Sequence, residues 1–394
     1  MLKTLAISNY RSLFDVVVPL APLNVVAGAN GTGKSNLYRA LRLLADTAQA
    51  GVVGALALEG GLPSAFWAGP ERVGNDPLRH REVEGGPRNL VKRLHLGFAS
   101  EDFGYAISLG HPPHEQGPGK PPPSAFFLDP EIKREWIWHG DTYHPTAAVL
   151  DRKAGSVKVR PDRKWEVQSG LIEMEQSVLA SHLVPSSIPA LNELRSSVRQ
   201  WRFYDHFRSD REAPARQSRI GTRTPILHQD GRDLGAALQT IIEVGDHQAL
   251  QKSIADAFPE CELKVAVDGD SRFSILFSQS GLLRPFSVSE LSEGTLLYLL
   301  WIAALLTPRP PPLMVLNEPE ASLHTDLLPA LGRLIGEASK TTQVWVITHS
   351  LVLAQELKKH SVCQSIHLEK HYGQTLVRGQ KLLEQPIWRW PDAR

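Results

Sequence analysis

The octapeptide "GANGTGKS" (28–35) constrains this chain more than any other stretch, because Gly28, Gly33, Lys34 and Ser35 fall in the spacing G-x-x-x-x-G-K-[ST]. The spacing has a chemical reason. A glycine-rich backbone lets the N–H groups of Ala29, Asn30, Gly31, Thr32 and Gly33 wrap a phosphate, Lys34 neutralises its outer oxygens, and Ser35 offers a hydroxyl to Mg²⁺. The flanks agree with this. "LNVVAG" (23–28) is a short apolar run of the kind a buried parallel strand gives. After it, Leu37, Ala40, Leu41, Leu44 and Ala45 recur at helical spacing. A helix starting beside Asn36 directs its positive end at the bound anion. Strand, glycine loop and helix together predict a nucleotide-binding α/β protein.

The rest of the chain divides by pattern. Segments such as "RLHLGFA" and "FGYAISLG" alternate as antiparallel strands do, and "HPPHEQGPGKPPPSA" (111–125) reads as a proline-rich surface loop. "SAFWAGPERV" (64–73) reads as structural. Residues 186–260 turn helical, with "DLGAALQTIIEV" (233–244) the clearest case and Asp233 in N-cap position. "ELKVAVD" and "RFSILFS" form an expected hairpin. From about residue 285 helix and strand alternate, the pattern of a parallel α/β core. The expected organisation is a discontinuous core (1–60 and 280–375), a β-rich part (61–185), a helical lid and hairpin (186–279) and a C-terminal tail (376–394).

Composition excludes several classes. With 43 Lys+Arg against 42 Asp+Glu in 394 residues, the net charge of +1 points to no polyanionic partner, so any nucleic-acid surface must come from local segregation. Cys261 and Cys363 are too few for a disulfide framework. "MLKTLAISNYRSL" lacks the pattern of a signal peptide, and "LLYLLWIAALL" (296–306) is about half of a membrane span. The expected setting is the cytoplasm.

Two further motifs carry chemistry. "VSELSEGTLLYLLWIAALL" puts Ser292, Glu293, Gly294 and Thr295 ahead of an apolar helix, a second polar loop feeding a helix N-terminus. One bound nucleotide does not need two such termini, so this loop is expected to serve the γ-phosphate held by another subunit. "PPLMVLNEPEASLHTD" (311–326) is an apolar strand ending in Asn317, Glu318, Pro319 and Glu320.

Here the chain resembles a family. "LSEGT" resembles the signature motif of ABC-class ATPases, and with it stand the Walker A loop "GANGTGKS", the Walker-B-like "LMVLNEPE", the D-loop-like "ASLH" and a switch histidine in "VWVITHS". The combination, with the opening "ISNYRSLFDVVVPL", is most similar to the RecF/OLD-type branch, related to SMC proteins. The resemblance covers roughly residues 1–50 and 285–352. It implies a P-loop NTPase of ABC-ATPase type with a mainly parallel central sheet, an antiparallel β subregion and an inserted helical lid.

Carried over by motif position, Glu318 matches the catalytic glutamate that polarises water, and His349 the histidine that contacts the γ-phosphate. Arg11 matches the arginine of the opening motif, which approaches the nucleotide. Ser322 and His324 match the D-loop region at a subunit contact. Ser35 and, through water, Asn317 would hold Mg²⁺. Asn317 departs from the family pattern, in which an aspartate stands there. A charge-assisted hydrogen bond contributes about 1.5–3 kcal/mol against about 0.5–1.5 for a neutral one, so the amide costs about 1 kcal/mol, or roughly fivefold. Glu320 is available to restore the charge. A glutamine matching the ABC Q-loop is not identifiable.

The segment 194–223 interleaves arginines (Arg199, Arg202, Arg208, Arg216, Arg219 and Arg223 among them) with Trp201, Phe203, Tyr204 and Phe207. Such a mixture suits a nucleic-acid groove, guanidiniums for phosphates and rings for stacking, or a lid whose rings pack inward. The resemblance implies ATP and Mg²⁺ as ligands, a head-to-tail homodimer on ATP binding, and DNA repair, DNA surveillance or phage defence as the setting, with DNA or an effector protein as partner. The alternative is a slowly hydrolysing regulatory module that signals to a partner protein without contacting DNA. A transporter subunit is disfavoured by the large insertion, an SMC-like structural ATPase by the lack of heptads. Nuclease chemistry is not expected, since only about 45 residues follow His349.

Overall fold

The computed structural model describes residues 1–49, 51–69, 93–112, 124–161, 164–168, 170–181, 188–380 and 385–392. Most of the proline-rich loop (113–123) and residues 70–73 of the "SAFWAGPERV" stretch lie outside these. The chain forms two compact units: Met1–Leu20, Gly28–Gln200 and Ile366–Arg394 in the first, Ala21–Ala27 and Trp201–Ser365 in the second.

In chain order, β1 (Leu2–Tyr10), β2 (Leu13–Pro19) and β3 (Leu23–Gly28) precede the glycine loop and α1 (Lys34–Asp46). Then come α2 (Val52–Leu58), α3 (Gly61–Ala65), β4 (Leu94–Ser100), β5 (Phe103–Gly110), β6 (Glu131–His139), β7 (Ala148–Lys153), β8 (Ser156–Val159), β9 (Glu166–Val167) and α4 (Pro189–Arg199). β10 (Arg202–Tyr204), β11 (Arg219–Ile220), α5 (Leu234–Val244), α6 (His247–Ala257), β12 (Cys261–Val267), β13 (Arg272–Gln279) and β14 (Phe286–Ser287) lead to α7 (Glu293–Leu305). The chain ends with β15 (Leu313–Asn317), α8 (Leu328–Ala338), β16 (Gln343–Ile347), α9 (Leu351–Leu357), β17 (Cys363–His371) and β18 (Gln374–Val377).

The first unit is built on an antiparallel sheet in the order β2-β1-β4-β5-β6-β7-β8-β9, so the alternating segments pair as their pattern predicts. The segment after the unit's last strand packs on this sheet. Trp388 lies over Gly97, where a Cβ would come within 2.6 Å of the indole, so no larger residue fits. Trp390 stacks beside Trp388 at 5.3 Å between centroids, and His95 bonds Asp392 at 3.2 Å. Behind the sheet lies a fully buried ion pair, Arg152 with Glu135 at 2.7 Å. Every lone pair of the carboxylate is used: Tyr105 Oη, Ser177 Oγ and the Val178 N–H also donate to it. Burial, reinforced by the Glu135 charge, pushes the Tyr105 phenol well above its usual range.

The second unit holds the parallel strands β10, β15, β16 and β3, adjacent in that order, with Val315 opposite Trp345 and Val346 opposite Val25. "LMVL" and "VWVI" are apolar without alternation because both faces of these strands are covered. The helix α7 is apolar all round and its residues Leu296–Leu305 are all buried, which explains the run that is too short for a membrane. Among the described residues no helix is long and apolar enough to cross a membrane. β12 and β13 form the expected hairpin. Asp233 stands at the N-cap of α5 but does not cap it; its carboxylate accepts the His228 N–H at 3.0 Å instead, and burial raises its pKa.

Candidate functional site

Strand β3 passes directly into the phosphate loop, which begins the second segment of the first unit. Gly33 has φ +107°, and a Cβ there would lie 2.1 Å from Thr375 Oγ1 and 3.0 Å from Ser12 Oγ, so this glycine is required by both conformation and space. A relay of side chains braces the loop from behind. Asn36 Nδ2 donates to Ser12 Oγ (2.8 Å), Ser12 Oγ bonds Thr375 Oγ1 (2.7 Å), and Thr375 Oγ1 donates to the Thr32 carbonyl (2.8 Å). Sequence reasoning did not find Thr375, because nothing local in "GQTLV" announces a contact with residues 12 and 32. Lys34 is buried, its Nζ donating to the carbonyls of Gly28 (2.7 Å) and Ala29 (2.9 Å), which curls the loop around the ammonium. Ala29, Asn30, Gly31 and Ser35 are exposed. No side chain caps α1, so its first-turn N–H groups face outward for an anion.

Arg11, expected to approach the nucleotide, is engaged by a neighbour in the same unit. Its guanidinium donates to the Glu59 carbonyl (3.1 Å) and carboxylate (3.2 Å), and its backbone, at φ +49°, bonds Ala65. Tyr10 donates to the same carboxylate, and burial followed by that bond raises the Tyr10 pKa.

In the second unit the ends of β15 and β16 bring Glu318 and His349 together, with His349 Nε2 3.3 Å from Glu318 Oε1 and both side chains about half exposed. Asn317 is the last residue of β15, opposite Ile347. Glu318 turns at φ +51°, an uncommon conformation for a non-glycine residue, while its N–H donates to the Ile347 carbonyl at 2.8 Å. Glu320, the acid two residues on, is engaged through one carboxylate oxygen. Its Oε1 accepts from Thr348 Oγ1 (2.6 Å), the His349 N–H (2.8 Å) and the Ser350 N–H (3.1 Å), fastening the turn that presents His349. Ser350 then caps α9.

The signature loop lies in the same unit. Ser292 is the N-cap of α7, its Oγ accepting the Thr295 N–H at 3.1 Å, while Ser292 and Glu293 are exposed at the helix start. Gly294 sits beside the carbonyl of Ser322, 3.6 Å from where a Cβ would be. Ser322 is exposed at φ +61°, and exposed His324 accepts the Asp326 N–H. Just ahead, Ser287 and Glu290 form a capping box closed by Arg284 at 2.7 Å. The Arg284 bond, with the Ser287 donors, pulls the Glu290 carboxyl down to about 2.

The arginine-rich segment packs its rings inward. Trp201, Phe203, Tyr204 and Phe207 are buried, with Phe207 against Trp301 (4.9 Å between centroids) and Tyr204 Oη donating to the Leu227 carbonyl at 2.9 Å. None of these rings presents a face to a base. Arg199 donates to the Ala48 carbonyl (3.0 Å), Arg208 pairs with Asp210 (2.9 Å), and Arg216 is bonded to backbone carbonyls on both sides of it. Arg202 is half-buried, whereas Arg219 and Arg223 are exposed.

The Ser35 hydroxyl, exposed at the start of α1, suits an ion such as magnesium that keeps water and phosphate oxygens in its shell. Among the described residues no cluster of three or more His, Cys, Asp or Glu forms a cage that would hold a metal without phosphate.

Comparisons with known proteins show similarity at several levels. An SMC head bound to the C-winged helix domain of ScpA has the same fold, with a TM-score of 0.50 and 14% identity over 97% of this chain and 99% of that one. The SMC head domain from Thermotoga maritima aligns over 97% and 99% of the two chains, at 15% identity and a TM-score of 0.48. An OLD nuclease of Thermus scotoductus (strain ATCC 700910 / SA-01) is 46% identical over 44 residues, 11% of this chain and only 8% of that protein. Residues 23–354 match the family described as "AAA domain, putative AbiEii toxin, Type IV TA system". That span contains the strand entering the phosphate loop, both acidic and histidine strand ends and α7, and the chain belongs to this AAA-domain family.

Proposed function

We propose that the protein is an ATP-hydrolysing switch of the cytoplasm that closes head-to-tail as a homodimer over two ATP–Mg²⁺. The observation that carries this reading is the order of three adjacent parallel strands. β15, β16 and β3 lead at their C-terminal ends to Glu318, His349 and the phosphate loop, the edge at which such sheets bind ligands. In the reading, the N–H groups of residues 29–35 and the Lys34 ammonium bind the phosphates. Glu318 accepts a proton from the attacking water, and His349, positioned by Glu320, donates to a γ-phosphate oxygen. Ser35 and, through water, Asn317 would hold magnesium, which would supply positive charge against the phosphates. Ser292, Glu293, Gly294 and Thr295 of the second copy complete the site, beside its D-loop residues Ser322 and His324.

The setting we favour is DNA repair, DNA surveillance or phage defence, consistent with the OLD nuclease among its relatives. A second reading has its own support. Asn317 in place of a carboxylate, and rings buried rather than open to bases, suit a slowly hydrolysing module that signals to a partner protein without touching DNA. Steady-state ATPase assays test the hydrolase reading. Turnover is expected to depend on Mg²⁺, to rise per molecule with protein concentration, and to disappear in Lys34→Ala and Glu318→Gln. Activity surviving in both variants would overturn it. A response to duplex or single-stranded DNA at low salt separates the two settings.

A further inference from the structure

Three consecutive features lead the chain into the signature loop. Residues 288–290 form one turn of 3₁₀ helix, Leu291 is extended (ψ 145°), and α7 begins only after Ser292. A donor to the carbonyls of this segment comes from far away in sequence. Arg216 Nη1 donates to the carbonyls of Val288 (3.0 Å), Ser289 (3.3 Å) and Leu291 (2.9 Å). From its other side, Nε donates to Ser209 and Asp210 (3.0 Å each), and Nη2 to Ser209 (2.9 Å).

We propose that Arg216 is the positioning residue of the signature loop, a brace that fixes the path of the chain into Ser292 and so aims the N–H groups of Glu293 and Gly294. This rests on the reading of the loop as a phosphate contact across the dimer. A planar guanidinium with donors on two edges can tie the segment 209–210 to the segment 288–291 at the same time. An ammonium is a single point of charge and cannot span both. The same segment is held a second time by Arg284 through Glu290. All six of these contacts tie Arg216 to backbone carbonyls. Its neighbours link the brace to the insertion: Arg219 and Ile220, three and four residues on, form β11 against β13.

The test places Arg216→Ala and Arg216→Lys in the Glu318→Gln protein and follows ATP-dependent association by light scattering, alongside the affinity of a fluorescent ATP analogue for the single chain. The proposal expects association to weaken by roughly tenfold or more in both variants. Analogue affinity is expected to stay near that of the parent, while the melting temperature falls because the carbonyls left behind lose their donor. Ser292→Ala is expected to weaken association too, and the Arg216→Ala/Ser292→Ala double variant no more than the stronger single, because both changes act through one loop. Normal association by Arg216→Lys, or additive losses in the double variant, would overturn the brace. Failure of the parent Glu318→Gln protein to associate is a different result and counts against the head-to-tail reading alone. Hydrogen exchange then decides the brace: faster exchange at residues 288–295 in Arg216→Lys supports it, and unchanged exchange overturns it.

Discussion

Glu320 Oε1 accepts the hydroxyl of Thr348 at 2.6 Å, and the same oxygen takes the next two backbone N–H groups, of His349 and Ser350. A carboxylate two residues beyond Glu318 thus holds the turn of the neighbouring strand. The histidine is placed by the acidic motif rather than by its own strand. This makes the second glutamate of "NEPE" a structural partner of the first.

Glu320→Ala leaves three donors to find water, and is expected to destabilise the protein by about 1–3 kcal/mol. Turnover is expected to fall by about tenfold because the His349 turn loosens. Urea unfolding and ATPase rates measured on one preparation check both numbers. Glu320→Gln keeps an acceptor oxygen at the site and is expected to lose less on each count.

Asn317→Asp adds a charge where the family pattern has one. The expected gain in Mg²⁺ affinity or turnover is about fivefold, from the difference of about 1 kcal/mol between charged and neutral hydrogen bonds. Titration of ATPase activity against Mg²⁺ reads it. A rise of about a hundredfold would mean that the natural protein is built to hold ATP rather than to hydrolyse it.

The buried pair of the first unit gives a test of the fold away from the site. Glu135→Ala leaves Arg152, whose side chain is fully buried, with an uncompensated charge among carbonyls. The expected loss is about 3–5 kcal/mol of stability, measured by denaturant unfolding. A loss below about 1 kcal/mol would contradict the network drawn around Glu135.

Glu290 supplies a pH test. Its pKa is lowered to about 2, so the stabilisation it gives the capping box is present above the usual carboxylate range and lost as pH falls through about 2. In carboxyl-carbon NMR it is expected to remain mostly ionised at about pH 3, where ordinary glutamates are protonated. Arg284→Ala is expected to return it towards the usual range.

Much of the fold was legible because its signals are local. The phosphate loop needs only eight consecutive residues, and "LMVL" and "VWVI" declare themselves as two-sided buried strands. The alternating segments of the first unit paired as read. What stayed hidden depends on contacts between residues far apart in sequence. The rings of 201–207 alternate with arginines in a manner equally suited to stacking bases or filling a core, and only the fold shows Phe207 against Trp301. Glu320 looked like a spare charge because the Thr348–Ser350 turn it holds lies 28 to 30 residues away. Asp233 has the residue type of a cap, but the His228 N–H claims its carboxylate first. Trp388 and Trp390 read as an unremarkable tail until Gly97 leaves room for an indole.

Light scattering of the Glu318→Gln protein with and without ATP–Mg²⁺ tests the central claim most directly. The expected result is a shift from monomer to dimer on adding ATP–Mg²⁺, abolished by Lys34→Ala in the same background. A protein that binds ATP and stays monomeric at every concentration tried would contradict a site completed by the signature loop of a second copy.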